Sequence, residues 1–181
     1  GSYTVPARTL SESVNLLRSE RLDIELTNAE LMVRGGKSTT KIKGLTAEDF
    51  PVIPTVSSGA SFSIDANGLR NGLAAVVIAA ARTDIRPELA AVVWLFNKTK
   101  GELKLAATDS YRLAESTVII KEGFANHNML LPFRAAQELV RLLGLSSSSS
   151  SEPNVRLVVA ENQAIFRYHS TEFITRLVAG T

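Results

Sequence analysis

The sequence contains no cysteine and only two histidines. The absence of cysteine excludes disulfide bonds, thiolate metal sites and cysteine nucleophiles, and it is typical of proteins in a reducing cytoplasm. No apolar run approaches the roughly 20 residues that a membrane-spanning helix needs, and no signal-peptide pattern opens the chain. We therefore expect a cytoplasmic protein, and we interpret residues 1–2 as the remnant of an expression tag.

Patterns of catalytic and cofactor sites are also missing. His127 and His169 fall in an expected loop and an expected strand turn, without metal-ligand spacing or a Ser/His/Asp setting. A Gly-x-Ser-x-Gly elbow does not occur. The Gly-Gly-Lys-Ser run at 35–38 lacks the preceding strand and the first glycine of a phosphate-binding loop. The sequence therefore predicts a protein that is not an enzyme, with no catalytic residues, no metal and no cofactor.

Charge of one sign is not in large excess. The chain has 20 basic and 18 acidic side chains, a formal net charge of +2, so any binding to nucleic acid depends on where the positive charges lie. The expected helices 6–19, 66–82 and 132–144 contain six arginines and two glutamates. This excess favours a surface for a polyanion, although arginines on exposed helix faces also serve solubility alone.

The most informative feature present is an internal repeat. The run Val5-Pro6-Ala7-Arg8 returns as Leu131-Pro132-Phe133-Arg134, and both copies continue as an apolar pattern that ends in Leu-Leu. Apolar residues recur at helical spacing, so each copy predicts a short amphipathic helix with proline in its first turn. Three short strands are expected after each helix, at 22–26, 31–34 and 39–45 and again at 155–159, 164–168 and 173–178.

A third, more divergent unit lies between these two copies. A strand at 61–64 precedes a helix that Asp65 or Asn67 could cap and that runs to about Arg82. Strands at 91–96, 102–107 and 113–120 follow, and the apolar run Ala90–Phe96 predicts a strand covered on both faces. Residues 51–59 are expected to be a linker between domains, and the serine run 146–151 a flexible loop.

Three runs of this sequence are similar to runs in the sequences of bacterial β sliding clamps (DNA polymerase III β subunits). Leu45–Pro51 resembles the link between the first and second domains of that family. Ala107–Ala114 resembles its Ala-Thr-Asp-Gly-His-Arg-Leu-Ala turn, and Leu131–Arg134 resembles the start of the second helix of its middle domain. The resemblance implies an α+β fold of repeated βαβββ units. Residues 3–50 would then be the C-terminal half of domain one, and residues 60–181 domain two.

The resemblance also implies a function in DNA replication. Sliding clamps are non-catalytic processivity factors that close a ring of two subunits around duplex DNA. They bind peptides of the replicative polymerase, the clamp loader and other DNA enzymes. The positions implied to face DNA without reading its sequence are Arg8, Arg70, Arg82, Arg86 and Arg134. Alternatively, the loop Arg82–Arg86 is merely solvated and balanced by Asp84 and Glu88.

The implied partner-peptide pocket comprises Leu89, Thr108, Ser110, Tyr111, Arg112 and Leu113. Leu89, Tyr111 and Leu113 could supply an apolar hollow, with Thr108 and Arg112 at its rim. Alternatively, these leucines are simply core residues, which is the favoured interpretation for Leu113 taken alone. Ser110 occupies a position where the family often has glycine.

Two departures from the family limit what the resemblance implies for ring closure and peptide binding. The first half of domain one and the whole third domain have no counterpart, so this chain alone should not close the two-subunit ring and should bind peptides weakly. Residues 3–50 would expose a strand edge and an apolar helix face, which predicts self-association. The runner-up hypothesis is a protein-interaction module of clamp-like repeats that does not bind DNA.

Overall fold

The computed structural model describes residues 1–51, 59–83, 85–145 and 154–180. The chain divides into two compact units, Gly1–Pro54 and Thr55–Thr181. Most of the expected linker, Asp84 and the serine run lie outside the described residues. In the ranges that are described, no helix is both long and apolar enough to cross a membrane.

The first unit has one α-helix and short antiparallel strands. In chain order its elements are β1 (Tyr3–Thr4), α1 (Ala7–Leu16), β2 (Asp23–Thr27), β3 (Glu30–Gly35), β4 (Ser38–Lys43), β5 (Leu45–Thr46) and a 3₁₀ turn (Ala47–Asp49). The strands pair in the order β2-β3-β4, and β1 pairs with β5. The helix and the three strands expected in this region are confirmed, with shifted ends.

The second unit contains an eight-stranded antiparallel sheet and two helices. Its elements are β6 (Ala60–Asp65), α2 (Ala66–Val77), β7 (Ala91–Asn97), β8 (Glu102–Thr108), β9 (Leu113–Glu122), β10 (His127–Pro132), α3 (Phe133–Leu145), β11 (Asn154–Val159), β12 (Gln163–Tyr168) and β13 (Thr171–Arg176). The strand order is β10-β7-β8-β9-β6-β11-β12-β13. The unit therefore consists of two strand–helix–three-strand halves.

The two halves exchange their first strands. Strand β6 of the first half pairs with β11 of the second, and β10 of the second half pairs with β7 of the first. Strand β9 also pairs with β6, and the equivalent contact between the other two edges is the single bridge Leu130–Val178. Each half thus completes the sheet of the other.

The core lies between the helices and one face of the sheet. Leu69, Leu73 and Val76 of α2, whose spacing of four and three residues places them on one helix face, are fully buried. Trp94 of β7 is also fully buried and packs against the rings of Phe96 and Phe166. Asp65 caps α2, because its carboxylate accepts a hydrogen bond of 2.7 Å from the Gly68 N–H. Of the two cap candidates, Asp65 is therefore the residue used.

Two expectations about helices were wrong. Helix α2 ends at Val77 rather than near Arg82, although the apolar spacing continues to Ala80. The Ala79 and Ala80 N–H groups donate to Val76 O and Val77 O, three residues back, so the α-helical ladder has ended there, and the next N–H, that of Ala81, donates to Leu89 O at 2.9 Å. The two prolines precede their helices rather than lying in the first turn: Pro6 is the N-cap of α1, and Pro132 is the last residue of β10.

Two expectations about strands also needed correction. His127 begins β10 rather than lying in a loop, since Met129, Leu130 and Leu131 provide the apolar residues that pair with β7. Strand β7 is fully covered on one face only. Its alternate residues Val93 and Leu95 are half-buried, because both helices pack on the opposite face of the sheet.

Candidate nucleic-acid and peptide interface

The pairing of four strands brings most of the candidate residues to one end of the sheet. Pro132 at the end of β10 pairs with Ala91 at the start of β7. Thr108 at the end of β8 pairs with Leu113 at the start of β9. Since β7 and β8 are also neighbours, the loop before β7, the turn after β8 and the start of α3 share this end. Arg70 is on α2, and Arg8 belongs to the first unit.

The loop that carries Arg82 and Arg86 is closed by its own backbone. The Ala81 N–H donates to Leu89 O at 2.9 Å, and the Leu89 N–H donates to Arg86 O at 3.0 Å. Both arginine side chains are exposed. These hydrogen bonds place Arg82 and Arg86 near the start of β7, at the same end of the sheet.

A cavity of about 510 Å³ opens beside this loop, between the end of α2 and the start of α3. Arg82 lines one side, and Arg134 and Gln137 of α3 line the other. Ala81, Ala90, Pro132 and Phe133 complete the lining, which includes no acidic side chain. The positive end of the α3 dipole adds to the two arginine charges. The cavity therefore favours anions.

The arginines of the helices fall into two groups. Arg8 pairs with Glu12 at 2.7 Å, and Arg141 pairs with Glu138 at 2.6 Å. The side-chain hydrogen bond from Arg141 lowers the pKa of the Glu138 carboxyl. Arg18 and Arg82 lie beyond the helix ends, so the observed helices carry four arginines and two glutamates. The excess of positive charge on the helices is therefore smaller than expected.

The second group has no acidic partner. Within the described ranges, Arg70, Arg82, Arg86 and Arg134 form no ion pair and no side-chain hydrogen bond. The guanidinium of Arg70 lies beside Gly144 in the last turn of α3, where the helix dipole favours a cation. The other three surround the sheet end and its cavity. Among the described residues, no acidic side chain competes with an external anion for these three arginines.

The turn between β8 and β9 is built around Asp109. Its carboxylate accepts hydrogen bonds from the N–H groups of Tyr111 and Arg112, both at 3.1 Å, and from Arg112 Nε at 3.0 Å. The backbone hydrogen bond from Tyr111 is the largest cause that lowers the pKa of Asp109. Thr108 Oγ1 donates to Arg112 O at 2.7 Å and closes the turn. Arg112, expected at the pocket rim, thus also supports the turn.

Ser110 adopts a left-handed backbone conformation, with φ of +77°. This conformation costs a residue with a Cβ roughly 1–2 kcal/mol and glycine almost nothing. The family's preference for glycine at this position therefore has a local physical reason. Two hydrogen bonds maintain this strained conformation. The Ser110 N–H donates to Thr108 Oγ1, and the N–H of the next residue, Tyr111, donates to the Asp109 carboxylate.

The apolar residues near this turn stand on the surface. Tyr111 is 98% exposed and Leu113 is 70% exposed, whereas Leu89 is half-buried. The interpretation of Leu113 as a core residue was therefore wrong. Strand alternation accounts for the result, because Leu113 is on the opposite face of β9 from the buried Val118 and Ile120. Tyr111 and Leu113 are thus open to solvent rather than enclosed in a hollow.

Sequence reasoning missed part of the site. Ala90, Phe133 and Gln137 line the cavity beside the two arginines, and none of them was a candidate. Gln137 could have been found, since it lies three residues after Arg134 and therefore on the same helix face. No sequence signal pointed to Ala90. Among the described residues, no group of acidic residues and histidines is arranged to hold a metal ion.

The comparisons with known proteins agree with this architecture. The family model of the DNA polymerase III beta subunit, central domain, matches residues 63–181. The beta sliding clamp of Staphylococcus aureus (strain MW2) is 28% identical over 183 residues, which cover 99% of this chain and 46% of that protein. The Staphylococcus epidermidis clamp is 29% identical over 182 residues, with the same coverage. The chain thus spans about half the length of these relatives.

Solved structures show the same fold. The DNA polymerase sliding clamp of Bacillus subtilis superposes with a TM-score of 0.84 at 28% identity, over 100% of this chain and 46% of that one. The Pseudomonas aeruginosa clamp bound to griselimycin gives 0.86 at 28% identity, over 100% and 48%. The fold is therefore that of a DNA clamp, and the expected α+β class is confirmed. The chain belongs to the DNA polymerase III beta subunit family.

Proposed function

We propose that this chain is part of a DNA sliding clamp, which encircles duplex DNA and gives the replicative polymerase its processivity. Residues 3–50 are the C-terminal half of clamp domain one, and residues 60–181 are the middle domain, after a linker at 51–59. The function is non-catalytic and belongs to DNA replication in the cytoplasm. Family membership and the fold support this proposal. The remaining half of the relatives' length would supply the rest of a two-subunit ring.

The surface for DNA is formed by arginines that have no acidic partner among the described residues. Arg82, Arg86 and Arg134 surround the sheet end, and Arg70 lies on α2. An unpaired guanidinium can bind a phosphate without first breaking an internal ion pair. Contacts of this kind carry no base information, as sliding along DNA requires. Arg8 contributes less, because Glu12 already holds its side chain.

The salt dependence of DNA binding tests this surface. Binding of the chain to a duplex is measured by fluorescence anisotropy over a range of salt concentrations, for the wild type and for the variant Arg82→Gln/Arg86→Gln. Each lost phosphate contact should flatten the slope of log K against log salt by about 0.9. The double variant should therefore lose roughly 2 from the slope and bind more weakly.

The matched control is Arg167→Gln/Arg156→Gln, which removes the same charge from the sheet. Arg167 pairs with Glu172 at 2.7 Å, and both arginines are exposed on neighbouring strands. The control variant should retain most of the wild-type slope of log K against log salt. Equal losses in both variants would mean that only net charge matters. A wild-type chain without measurable DNA binding at low salt would favour the runner-up hypothesis, an interaction module that does not bind DNA.

The surface around Tyr111 is the second part of the proposed function. Tyr111, Leu113 and Leu89 present apolar area, while Thr108, Ser110 and Arg112 provide polar groups beside it. This combination suits a short peptide of the polymerase or clamp loader, whose apolar anchors dock while its backbone is held by polar groups. The same turn end is rigid, because Asp109 fixes it with three hydrogen bonds. Binding by this chain alone should be weak.

A further inference from the structure

The second unit has a small polar cavity on the face of its sheet opposite the two helices. The cavity has a volume of about 270 Å³. Strands β6, β9 and β11 and the turn after β9 provide its lining, which consists of Ser61, Phe62, Ser63, Glu122, Gly123 and Arg156. All three strands lie in the interior of the eight-stranded sheet, with neighbours on both sides. The lining therefore comes from the middle of one unit.

The strand register places opposite charges on the two sides of a serine. Ser63 pairs with Glu122 of β9 on one side and with Arg156 of β11 on the other. Residues paired across neighbouring strands point to the same face of a sheet. Phe62 and Ile64, before and after Ser63, point to the other face and belong to the core. A carboxylate, a hydroxyl and a guanidinium thus form a row on the face away from the core.

The hollow between the two charges exists because the residues beneath it are small. Ser61 and Ser63 are two positions apart in β6 and share this face. Gly123 has φ of +84°, and an added Cβ would overlap Ser61 O, so a larger residue would collide with the backbone of β6. Two serines and a glycine therefore form the base of the cavity, and the longer charged side chains form its sides.

The polar groups of this cavity are not used elsewhere in the part of the chain that the structure describes. Ser63 is 8% exposed and is the one polar residue that is buried among those described. Its hydroxyl and that of Ser61 form no hydrogen bond with another described residue. Glu122 and Arg156 form no ion pair in the described ranges. Since a buried hydroxyl normally has a hydrogen-bond partner, Ser63 points to a ligand.

The separation of the two charges limits the size of this ligand. Glu122 and Arg156 lie on strands on either side of β6, so their Cα atoms are about 10 Å apart. Side chains stand roughly perpendicular to a sheet, so the charged ends keep a similar spacing. One hydrogen bond of about 2.9 Å at each end leaves roughly 4 Å between the charges of a bridging ligand. An ammonium and a carboxylate on one carbon are close to this spacing, and longer chains exceed it.

We propose that this cavity binds the zwitterionic amino-carboxylate group of an α-amino acid. The ligand's carboxylate accepts hydrogen bonds from the Arg156 guanidinium, and its ammonium donates to the Glu122 carboxylate. The hydroxyls of Ser63 and Ser61 bond the same two groups from below. A ligand with one charge is disfavoured, because the other charge of the site repels it or stays without a partner.

The site is separate from the surfaces that the clamp function uses. Glu122 and Leu113 are at opposite ends of β9, about 30 Å apart along the strand. The neighbouring Arg167 does not compete for the ligand, since Glu172 holds its guanidinium at 2.7 Å. Binding of an amino acid should therefore be independent of DNA and of partner peptides.

A series of small ligands tests the charge pair and its spacing. Glycine is the probe, because it consists of the amino-carboxylate group alone, and the NMR shifts of the Ser63 and Gly123 amides report its binding to the whole chain. These shifts should saturate with glycine. Glycinamide lacks the carboxylate and N-acetylglycine lacks the ammonium, so each should bind about fivefold more weakly. The longer amino acid ε-aminocaproate should also bind more weakly than glycine.

Substitutions test the two charged residues. Arg156→Gln and Glu122→Gln should each weaken glycine binding about fivefold. The matched controls are Arg167→Gln and Glu115→Gln, which remove the same charges from the same face of the sheet but lie outside the cavity. Both controls should leave glycine binding nearly unchanged.

Ser63→Ala separates ligand binding from a structural role. The Ser63 hydroxyl bonds no other described residue, so its removal should not lower the free energy of unfolding, measured by urea denaturation through Trp94 fluorescence. Glycine binding should nevertheless weaken. A less stable variant that binds glycine as well as the wild type would mean that the hydroxyl serves the fold, and would overturn its role in the site.

Three further results would overturn the proposal. Shifts at Ser63 and Gly123 that do not saturate with glycine would mean that the cavity is not an amino-acid site. Equal binding of glycine and glycinamide would remove the role of the carboxylate. An equal effect of Arg156→Gln and Arg167→Gln would mean that only the charge of the surface matters. Since none of these measurements involves DNA or a polymerase peptide, the outcome is independent of the proposed clamp function.

Discussion

Replacing Gly72 with alanine should destabilise the second unit, although alanine is the better helix former. Gly72 lies in the middle of α2 and is buried. An added Cβ would lie 2.7 Å from Val118 Cγ2, 3.2 Å from Leu105 Cδ1 and 3.3 Å from Ser116 Oγ. Glycine at this position therefore lets the helix approach strands β8 and β9 closely.

Two effects of opposite sign decide the magnitude. Alanine gains about 0.8–1.0 kcal/mol of helix propensity over glycine. Overpacking a close-packed core costs roughly 1–3 kcal/mol. Val118 is only 5% exposed and is β-branched, so it has few rotamers into which it can move. The cost of overpacking should exceed the gain in helix propensity, which leaves a net loss of about 1 kcal/mol in the free energy of unfolding.

Urea denaturation can measure this loss through the single tryptophan. Trp94 is fully buried in the second unit, so its fluorescence reports the unfolding of the core that α2 covers. Gly144→Ala is the matched control. Its added Cβ would meet only the guanidinium of Arg70, at 3.2 Å from Nε, and a long exposed side chain can move aside. This variant should be at least as stable as the wild type.

A double-mutant cycle separates the clash from other causes. Val118→Ala alone should destabilise the protein by removing buried methyl groups. Combined with Gly72→Ala, it should cost less than the sum of the two single changes, because the clashing Cγ2 atom is gone. Additive losses, or a Gly72→Ala variant as stable as the wild type, would refute the reasoning about close packing.

Two further predictions concern the turn between β8 and β9. The folded turn lowers the pKa of Asp109, chiefly through the Tyr111 N–H, so the ionised carboxylate stabilises the turn above the ordinary pKa of the group. This stabilisation should be lost as the pH falls through the lowered pKa, seen as smaller protection factors (the intrinsic rate at each pH divided by the observed exchange rate) for the amides of Tyr111 and Arg112; protection factors unchanged by acid would contradict it. Tyr111→Ala should weaken binding of an apolar-anchored polymerase peptide at least about tenfold, whereas Phe124→Ala should not, because Phe124 lies on another surface. Equal effects of the two would remove Tyr111 from the peptide site.

Local features were predictable from the sequence because they depend on neighbours in the chain. Period-two alternation and turn residues indicated most strands, and helical spacing indicated the buried face of α2. The ends of helices were less predictable from the sequence, since they also depend on hydrogen-bond partners that are distant in the chain. Helix α2 ends at Val77, and a few residues later the Ala81 N–H donates to Leu89 O, eight residues further along the chain, although the apolar spacing continues to Ala80.

The exposure of the site residues was beyond sequence reasoning for a related reason. Leu113 and Leu157 are both leucines in alternating strands, yet one is 70% exposed and the other is fully buried. The difference depends on which face the helices cover, and hence on strand pairing far apart in sequence. The free arginines were also hidden, because Arg8 and Arg134 occupy equivalent places in the repeat. Each has a glutamate four residues later, but Glu12 pairs with Arg8, whereas Glu138 pairs with Arg141 and not with Arg134.

The exchange of first strands explains why the two halves of the second unit depend on each other. A half that kept its first strand beside its own second strand could fold as a closed unit. Because β6 pairs with β11 and β10 with β7, each half instead leaves the edge of its second strand open until another half arrives. Two such halves in one chain cover the open edges of each other. In the second unit the requirement is met within the chain, and the result is a rigid pair of helices that carries Arg70 and Arg134.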